Sequence, residues 1–332
     1  MSSQKPVFKF HEITDILSLP DPEWLISNLL VKGSFAVLFG SPGVGKSFLA
    51  LSWAFAVAAA KPWHGRDVNG GPVVYIAAEG FGGLKLRVAA LLNHEGYGVD
   101  TPCKFRDRPI NLADSGQVAA FIYDIGMSVR QPALIIIDTL ARCFVGGDEN
   151  SAKDMGLFIH GVESIKRATG AAVLVVHHTG KNERSGARGS SALMGAADTM
   201  ISCGGELGNL ELKCEKQKDA EPFKKFTLAL RTVKLENGQS SCVLVPFETV
   251  VAAMSPASDA KTKKVLAALE KFEPEGATAT EWEQACKDEG VARKTFYRWR
   301  KELEAAGFVE KDREGQGARY RSVKSEPVSV SD

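Results

Sequence analysis

The 332-residue sequence predicts an α/β fold: a doubly wound, mostly parallel sheet with helices on both faces, followed by a smaller α+β module. Three observations carry that reading. Short, branched apolar runs alternate with helical stretches through the first two-thirds of the chain. From residue 210 to 247 the texture changes to strand-like alternation, with turn residues at 219–222 and at Asn237-Gly238. Then the segment MSPASDA at 254–260 reads as a linker, and a helical pattern with a terminal hairpin follows it.

Taken in order, the predicted strands are 34–39 (SFAVLF), 72–77 (PVVYIA), 133–137 (ALIII) and 171–176 (AAVLVV). Each is nearly continuous in apolar character, as strands covered on both faces must be. The helical stretches are 47–60, 84–94, 115–128 and 154–168. The runs 210–214 and 226–230 are expected as antiparallel edge strands. The implied organisation is an N-terminal segment 1–30, a core domain 31–253, the linker 254–260, a small module 261–324 and a tail 325–332. In the module, helices are predicted at 261–272, 280–289 and 293–306, with Thr280-Glu-Trp-Glu283 as a capping box for the second. Residues 308–310 and 319–323 are expected to pair around Gly315-Gln-Gly317.

Composition removes whole classes of function. Lys plus Arg total 41 and Asp plus Glu 40, a net charge of +1, which excludes a uniformly basic nucleic-acid sleeve but not a local basic patch. The six cysteines, at 103, 143, 203, 214, 242 and 286, never form a close pair, so neither a zinc site nor a redox dithiol is expected. The start, MSSQKPVFKFHEITD, lacks the apolar core of a signal peptide, and the longest nearly apolar run, 48–60, is too short to span a bilayer. The expectation is a cytoplasmic chain with reduced thiols and no membrane partner. Trp63 and His64 read as packing residues, and Asp148 and Glu149 as loop residues.

The strongest chemical signal is Gly40-Ser41-Pro42-Gly43-Val44-Gly45-Lys46-Ser47, which fits G-x-x-x-x-G-K-[ST] in full. It follows a predicted strand and opens a predicted helix. Glycines let backbone amides turn inward around phosphate oxygens, and the helix N-terminus adds partial positive charge. Lys46 is expected to reach the terminal phosphates, and Ser47 to ligate magnesium. Asp138 ends the strand ALIIID, where the magnesium-binding carboxylate of a phosphate-loop NTPase sits. The next residue is Thr139, so the water-activating carboxylate must come from elsewhere. Glu79, directly after the strand PVVYIAA, is the candidate, because neighbouring parallel strands end at one sheet edge.

Together with the stretches DTLARCFVGGDENSA, VVHHTGK and ARGSSALMGAADTMI, these residues resemble the RecA-type core of hexameric helicases, of the plasmid RepA kind and its phage and plasmid relatives, over roughly 35–245. The resemblance implies ATP and Mg2+ as cofactors, a hexameric ring, single-stranded DNA as the track, and a replication initiator or primase as partner. It makes His178 the sensor of the terminal phosphate, with His177 facing away. It implies that Lys216 and Lys218, between the predicted strands 210–214 and 226–230, reach the neighbouring subunit's nucleotide; relatives often carry Arg at the second position. It places Lys181, Arg184 and Arg188 on a DNA-tracking channel loop.

The last module resembles a winged helix-turn-helix. RKTFYRWRK at 293–301 carries five bases and no acid. On a helix, Phe296, Trp299 and Leu303 share the inner face, while Lys294, Arg298 and Lys301 share an outer one, beside Arg293. The expected activity is a DNA helicase driven by ATP hydrolysis. An ATP-dependent DNA-binding regulator or loader that does not translocate shares every nucleotide-site residue and stays open. A small-molecule kinase is disfavoured, because no lid or acceptor pattern is present.

Overall fold

Strand formers and helix formers alternate, and the chain folds accordingly. The computed structural model describes residues 10–179, 191–205, 208–247, 260–305, 309–312 and 317–322. The chain divides into two units, Met1–Pro246 and Phe247–Asp332.

The first unit begins with α1 (Ile13–Leu17) and the antiparallel pair β1 (Trp24–Ile26) and β2 (Leu30–Val31). Then come β3 (Phe35–Gly40), α2 (Lys46–Ala59), β4 (Val73–Ala77), α3 (Phe81–Glu95), β5 (Cys103–Arg106), α4 (Ser115–Ser128) and β6 (Leu134–Asp138). A 3₁₀ turn at Leu140–Cys143 leads to α5 (Ala152–Thr169), β7 (Ala172–His178), α6 (Ser191–Ala196), β8 (Thr199–Gly204), β9 (Asn209–Gln217), β10 (Phe226–Lys234) and β11 (Ser240–Pro246). Nine strands form one sheet in the order β11-β10-β9-β8-β3-β7-β6-β4-β5. The six from β8 to β5 run parallel, and β9, β10 and β11 extend the sheet antiparallel.

Every residue of β3, β4 and β6 is buried, as their unbroken apolar runs require. On one face Phe35, Val37, Ile135, Ile137, Val173 and Val175 pack with α4 and α5. Alternate residues point to the other face. There α2, apolar on all sides, is buried from Leu49 to Ala58 and packs against β3 to β7. Helix ends follow local chemistry. Asp114 caps α4 by accepting from the Gly116 and Gln117 amides, Ser151 caps α5, and Gly170, at a φ of 70°, ends it.

The fold class is as expected, with four local corrections. Helix α3 starts at Phe81, earlier than 84, because Gly80 turns left-handed there and Gly82 and Gly83 continue the helix. The edge strand β5 is missed, since Lys104 and Arg106 break its apolar pattern. The antiparallel part begins with β9 pairing on the unpredicted strand β8, not at residue 210. Finally, Leu25, Ile26, Leu29 and Leu30 are fully buried, so the stretch 24–30 already packs into the core.

The second unit contains α7 (Ala260–Glu270), β12 (Ala277–Thr278), α8 (Ala279–Asp288), α9 (Arg293–Ala305), β13 (Val309–Lys311) and β14 (Arg319–Ser322). Its strands form a small antiparallel sheet, β12-β14-β13. Val265, Leu269, Trp282, Phe296, Leu303 and Tyr320 make its core. The capping box uses Thr278 and Glu281, not Thr280 and Glu283. Both pairs have the right spacing, but Glu283 is engaged by the Tyr297 hydroxyl at 2.7 Å and by Arg293 at 3.1 Å. The hairpin partners Glu310 and Arg321 pair as expected, while Gly315 at its turn lies outside the described residues.

Candidate nucleotide site

The site forms where β3 gives way to α2. Two glycines of the loop are required by contact and not merely by flexibility. A Cβ on Gly40 would lie 2.0 Å from the Cys203 carbonyl oxygen of β8. One on Gly45, whose φ is 109°, would meet the Leu210 side chain at 2.9 Å. The loop therefore needs its neighbours β8 and β9 as much as its own sequence.

Beside the loop lies a cleft of about 310 Å³ lined by Lys46, Ser47, Glu79, Arg87, Asp138 and His178, among others. Strand register explains the assembly. Ala77 of β4 stands opposite Asp138 of β6, and Gly40 of β3 opposite His178 of β7, so four strands deliver their C-terminal residues to one edge. The Lys46 ammonium, 4% exposed, donates to the Gly40 and Ser41 carbonyls, both at 2.8 Å. It also lies 3.2 Å from His178 Nδ1. Burial pulls the Lys46 pKa down, and Cys203, Asp138 and Glu79 oppose that pull. Burial and then the Lys46 charge lower the His178 pKa, and because an ammonium can only donate, Nδ1 is the acceptor in its contact with Lys46. His177 is 1% exposed, on the side of the strand away from the cleft.

Asp138 is 3% exposed. Burial raises its pKa, while the hydrogen bond from Tyr75 and the neighbouring Ser47 hydroxyl lower it. Tyr75 donates to Oδ2 at 2.7 Å, and Oδ1 is buried without a hydrogen-bond partner. Glu79 accepts a hydrogen bond from the Thr139 hydroxyl at 3.3 Å. The peptide between Asp138 and Thr139 is cis.

A divalent cation fits these residues. The orphaned Asp138 Oδ1 and the Ser47 hydroxyl are hard oxygen donors of the kind Mg2+ takes. Among the described residues no group of three or more His, Cys, Asp and Glu could hold a metal, so the rest of the coordination shell would come from phosphate oxygens and water. A second cavity, of about 700 Å³, flanks the other side of the loop between Gly40–Val44 residues and strands β8 and β9.

Two residues at the site escape sequence reading. Arg87, on α3, lies over the Phe48 ring at 4.8 Å and lines the cleft. Its only sequence signal is its position two turns after Glu79 in a helix with few charges. Tyr75 hides inside a strand read as wholly apolar.

The remaining candidates fall elsewhere. Lys216 does not lie between strands. The alternation of β9 continues to Gln217, and the Lys216 ammonium donates to the Met194 and Gly195 carbonyls at the end of α6, at 2.9 and 3.1 Å. Lys218 lies just beyond β9, 61% exposed and 3.6 Å from Asp198. Lys181, Arg184 and Arg188 lie outside the described residues. In the second unit Lys294, Arg298 and Lys301 are exposed on α9, whose Phe296 and Leu303 are buried. Arg293 pairs with Glu283, and Arg300, absent from the outer stripe, packs over Tyr297 and Tyr320 and pairs with Glu304 at 3.2 Å. Trp63 is a packing residue, 3% exposed, with its indole N–H donating to Ser52 at 2.8 Å. Among the described residues no helix is long and apolar enough to cross a membrane.

No curated protein matches the chain. A family model described as an AAA domain matches residues 6–184, more than half of it and the whole of the cleft just described. On that match and this geometry, the chain belongs to the AAA-domain family of phosphate-loop ATPases.

Proposed function

We propose that the protein is a magnesium-dependent ATPase motor that works as a ring, translocates on single-stranded DNA and unwinds duplexes in plasmid or phage replication. The observation that supports it best is the convergence of Lys46, Ser47, Glu79, Asp138 and His178 on one cleft at the sheet edge. Loop amides and Lys46 bind the phosphates, the ammonium exchanging its Gly40 and Ser41 carbonyl partners for phosphate oxygens. Ser47 and Asp138 hold Mg2+, which when bound offsets the charge of the phosphate oxygens. Glu79 orients the attacking water and takes its proton as the water oxygen bonds to the terminal phosphorus and ADP leaves. His178 donates through Nε2 to the terminal phosphate, since its Nδ1 already faces Lys46. Arg87, over the Phe48 ring, adds positive charge to the cleft.

Lys216 and Lys218 then differ in role. Lys216 is engaged within its own chain by two carbonyls, so Lys218, the more exposed, is the better donor to a neighbour's phosphate. The C-terminal unit reads as a winged helix with α9 as its recognition helix, and Lys181, Arg184 and Arg188, outside the described residues, as the bases that track the strand.

A forked duplex tests the motor directly. Strand displacement that requires ATP and Mg2+ is expected, whereas DNA-stimulated hydrolysis without displacement would leave a loader or regulator in its place. For the ring, Lys46→Ala and Lys218→Ala subunits are mixed. Partial recovery of hydrolysis is expected from sites completed across subunits, and mixed rings without any recovery would sink the trans role.

A further inference from the structure

We propose that Tyr75 sets the divalent-ion selectivity of the nucleotide site, by occupying one oxygen of Asp138 so that the carboxylate offers a metal only the other. The inference rests on the reading of Asp138 as a metal ligand and deepens it. Tyr75 is the middle residue of β4, five buried residues of which the others are Val73, Val74, Ile76 and Ala77. Packing alone would be served by Phe at this position, because the ring lies 5.7 Å from that of Phe105 on the edge strand β5. The hydroxyl is the one polar side-chain group of the strand. It is spent on Asp138 Oδ2 at 2.7 Å, in a residue only 2% exposed.

The consequence follows from ion chemistry. A carboxylate with both oxygens free can chelate a cation through the pair, which suits Ca2+ with its 6–8 flexible ligands. Mg2+ demands a near-ideal octahedron, keeps several waters and takes carboxylate oxygens singly. With Oδ2 bound to the phenol, only Oδ1 remains, and that is the buried oxygen left without a partner. Tyr75 is thus a positioning residue that acts through Asp138 and touches no substrate.

The test compares the full wild-type chain with Tyr75→Phe, both bound to ADP. Mn2+ binding is followed by electron paramagnetic resonance, Mn2+ is displaced by Mg2+ or Ca2+, and thermal melting verifies the fold. The preference for Mg2+ over Ca2+ is expected to fall roughly 3- to 10-fold in Tyr75→Phe, the size of one hydrogen bond. Equal weakening of both ions, or no change in either, overturns the proposal. If Tyr75→Phe does not fold, 3-fluorotyrosine at position 75 keeps the ring and strengthens the donor. A raised preference for Mg2+ then supports the proposal, and an unchanged or lowered one overturns it. Asp138→Asn separates the two readings: unaltered Mn2+ affinity in that variant removes the metal assignment itself, whereas a loss there with no effect at Tyr75 removes only the selectivity role.

Discussion

The cleft beneath the phosphate loop and the outer face of α9 both gather charge, under opposite constraints. In the cleft Lys46 and Asp138 are 4% and 3% exposed, and each is held by partners within 3 Å. Removing a partner there leaves a buried charge uncompensated, so every member depends on the others. On α9 the charges sit on the surface. Lys294 is exposed, Arg293 meets Glu283 at 3.1 Å with its side chain 77% exposed, and such solvent-screened contacts contribute little. Burial fixes position and therefore chemistry, whereas exposed charges are screened by solvent and hold one another only weakly.

That contrast can be broken by substitution. The largest effect belongs to the cleft. Glu79→Gln keeps shape and removes the base, so turnover is expected to drop about 10²- to 10⁴-fold while nucleotide binding, read by fluorescence of a labelled ADP, stays nearly unchanged. Unchanged turnover would take Glu79 out of the mechanism. On α9, by contrast, Arg298→Ala and Lys301→Ala should act additively and mildly. Each is expected to weaken single-strand binding several-fold and to flatten the log–log salt dependence by about 0.7, the contribution of one phosphate contact. Slopes that do not move would point to protein docking by this helix.

The smallest effect is one of pH, and it separates the two units by composition. All six histidines lie in the first unit. His64 and His178 both have pKa values below the ordinary 6.5, chiefly because burial disfavours the charged ring. The unfolded chain therefore binds these protons more readily than the folded one. The contribution to stability is fully present above about pH 6.5 and is lost as the pH falls below it. Denaturant melts between about pH 7.5 and 5.5 should show the first unit losing stability to these groups, with no histidine contribution in the second. Parallel losses in both units would refute the assignment.

Much of this was legible beforehand, and the residues show why. The phosphate loop announces itself, because its glycines, lysine and serine are consecutive and their geometry is local. Asp138 and Glu79 were readable one step removed, since parallel strands must end together and a strand-terminal acid there faces the loop. His178 followed from the end of β7. Lys216 was misplaced because alternation cannot say where a strand stops when its partner is a strand not yet recognised; β8 alone decides it. The cap expected at Thr280 forms instead at Thr278, two residues earlier with the same spacing, while Tyr297 and Arg293 engage Glu283.

The sequence by itself determined the α/β class, the loop and the edge at which chemistry is gathered, because each is carried by periodicity or by adjacent residues. Tertiary structure decided what depends on contacts distant along the chain. It gave the Tyr75 hydroxyl to Asp138 across 63 positions, brought Arg87 into the cleft, and turned Lys216 back onto α6. A hydrogen bond between strands has no period and leaves no pattern in one dimension, so only the folded chain reveals which oxygen of Asp138 the tyrosine engages.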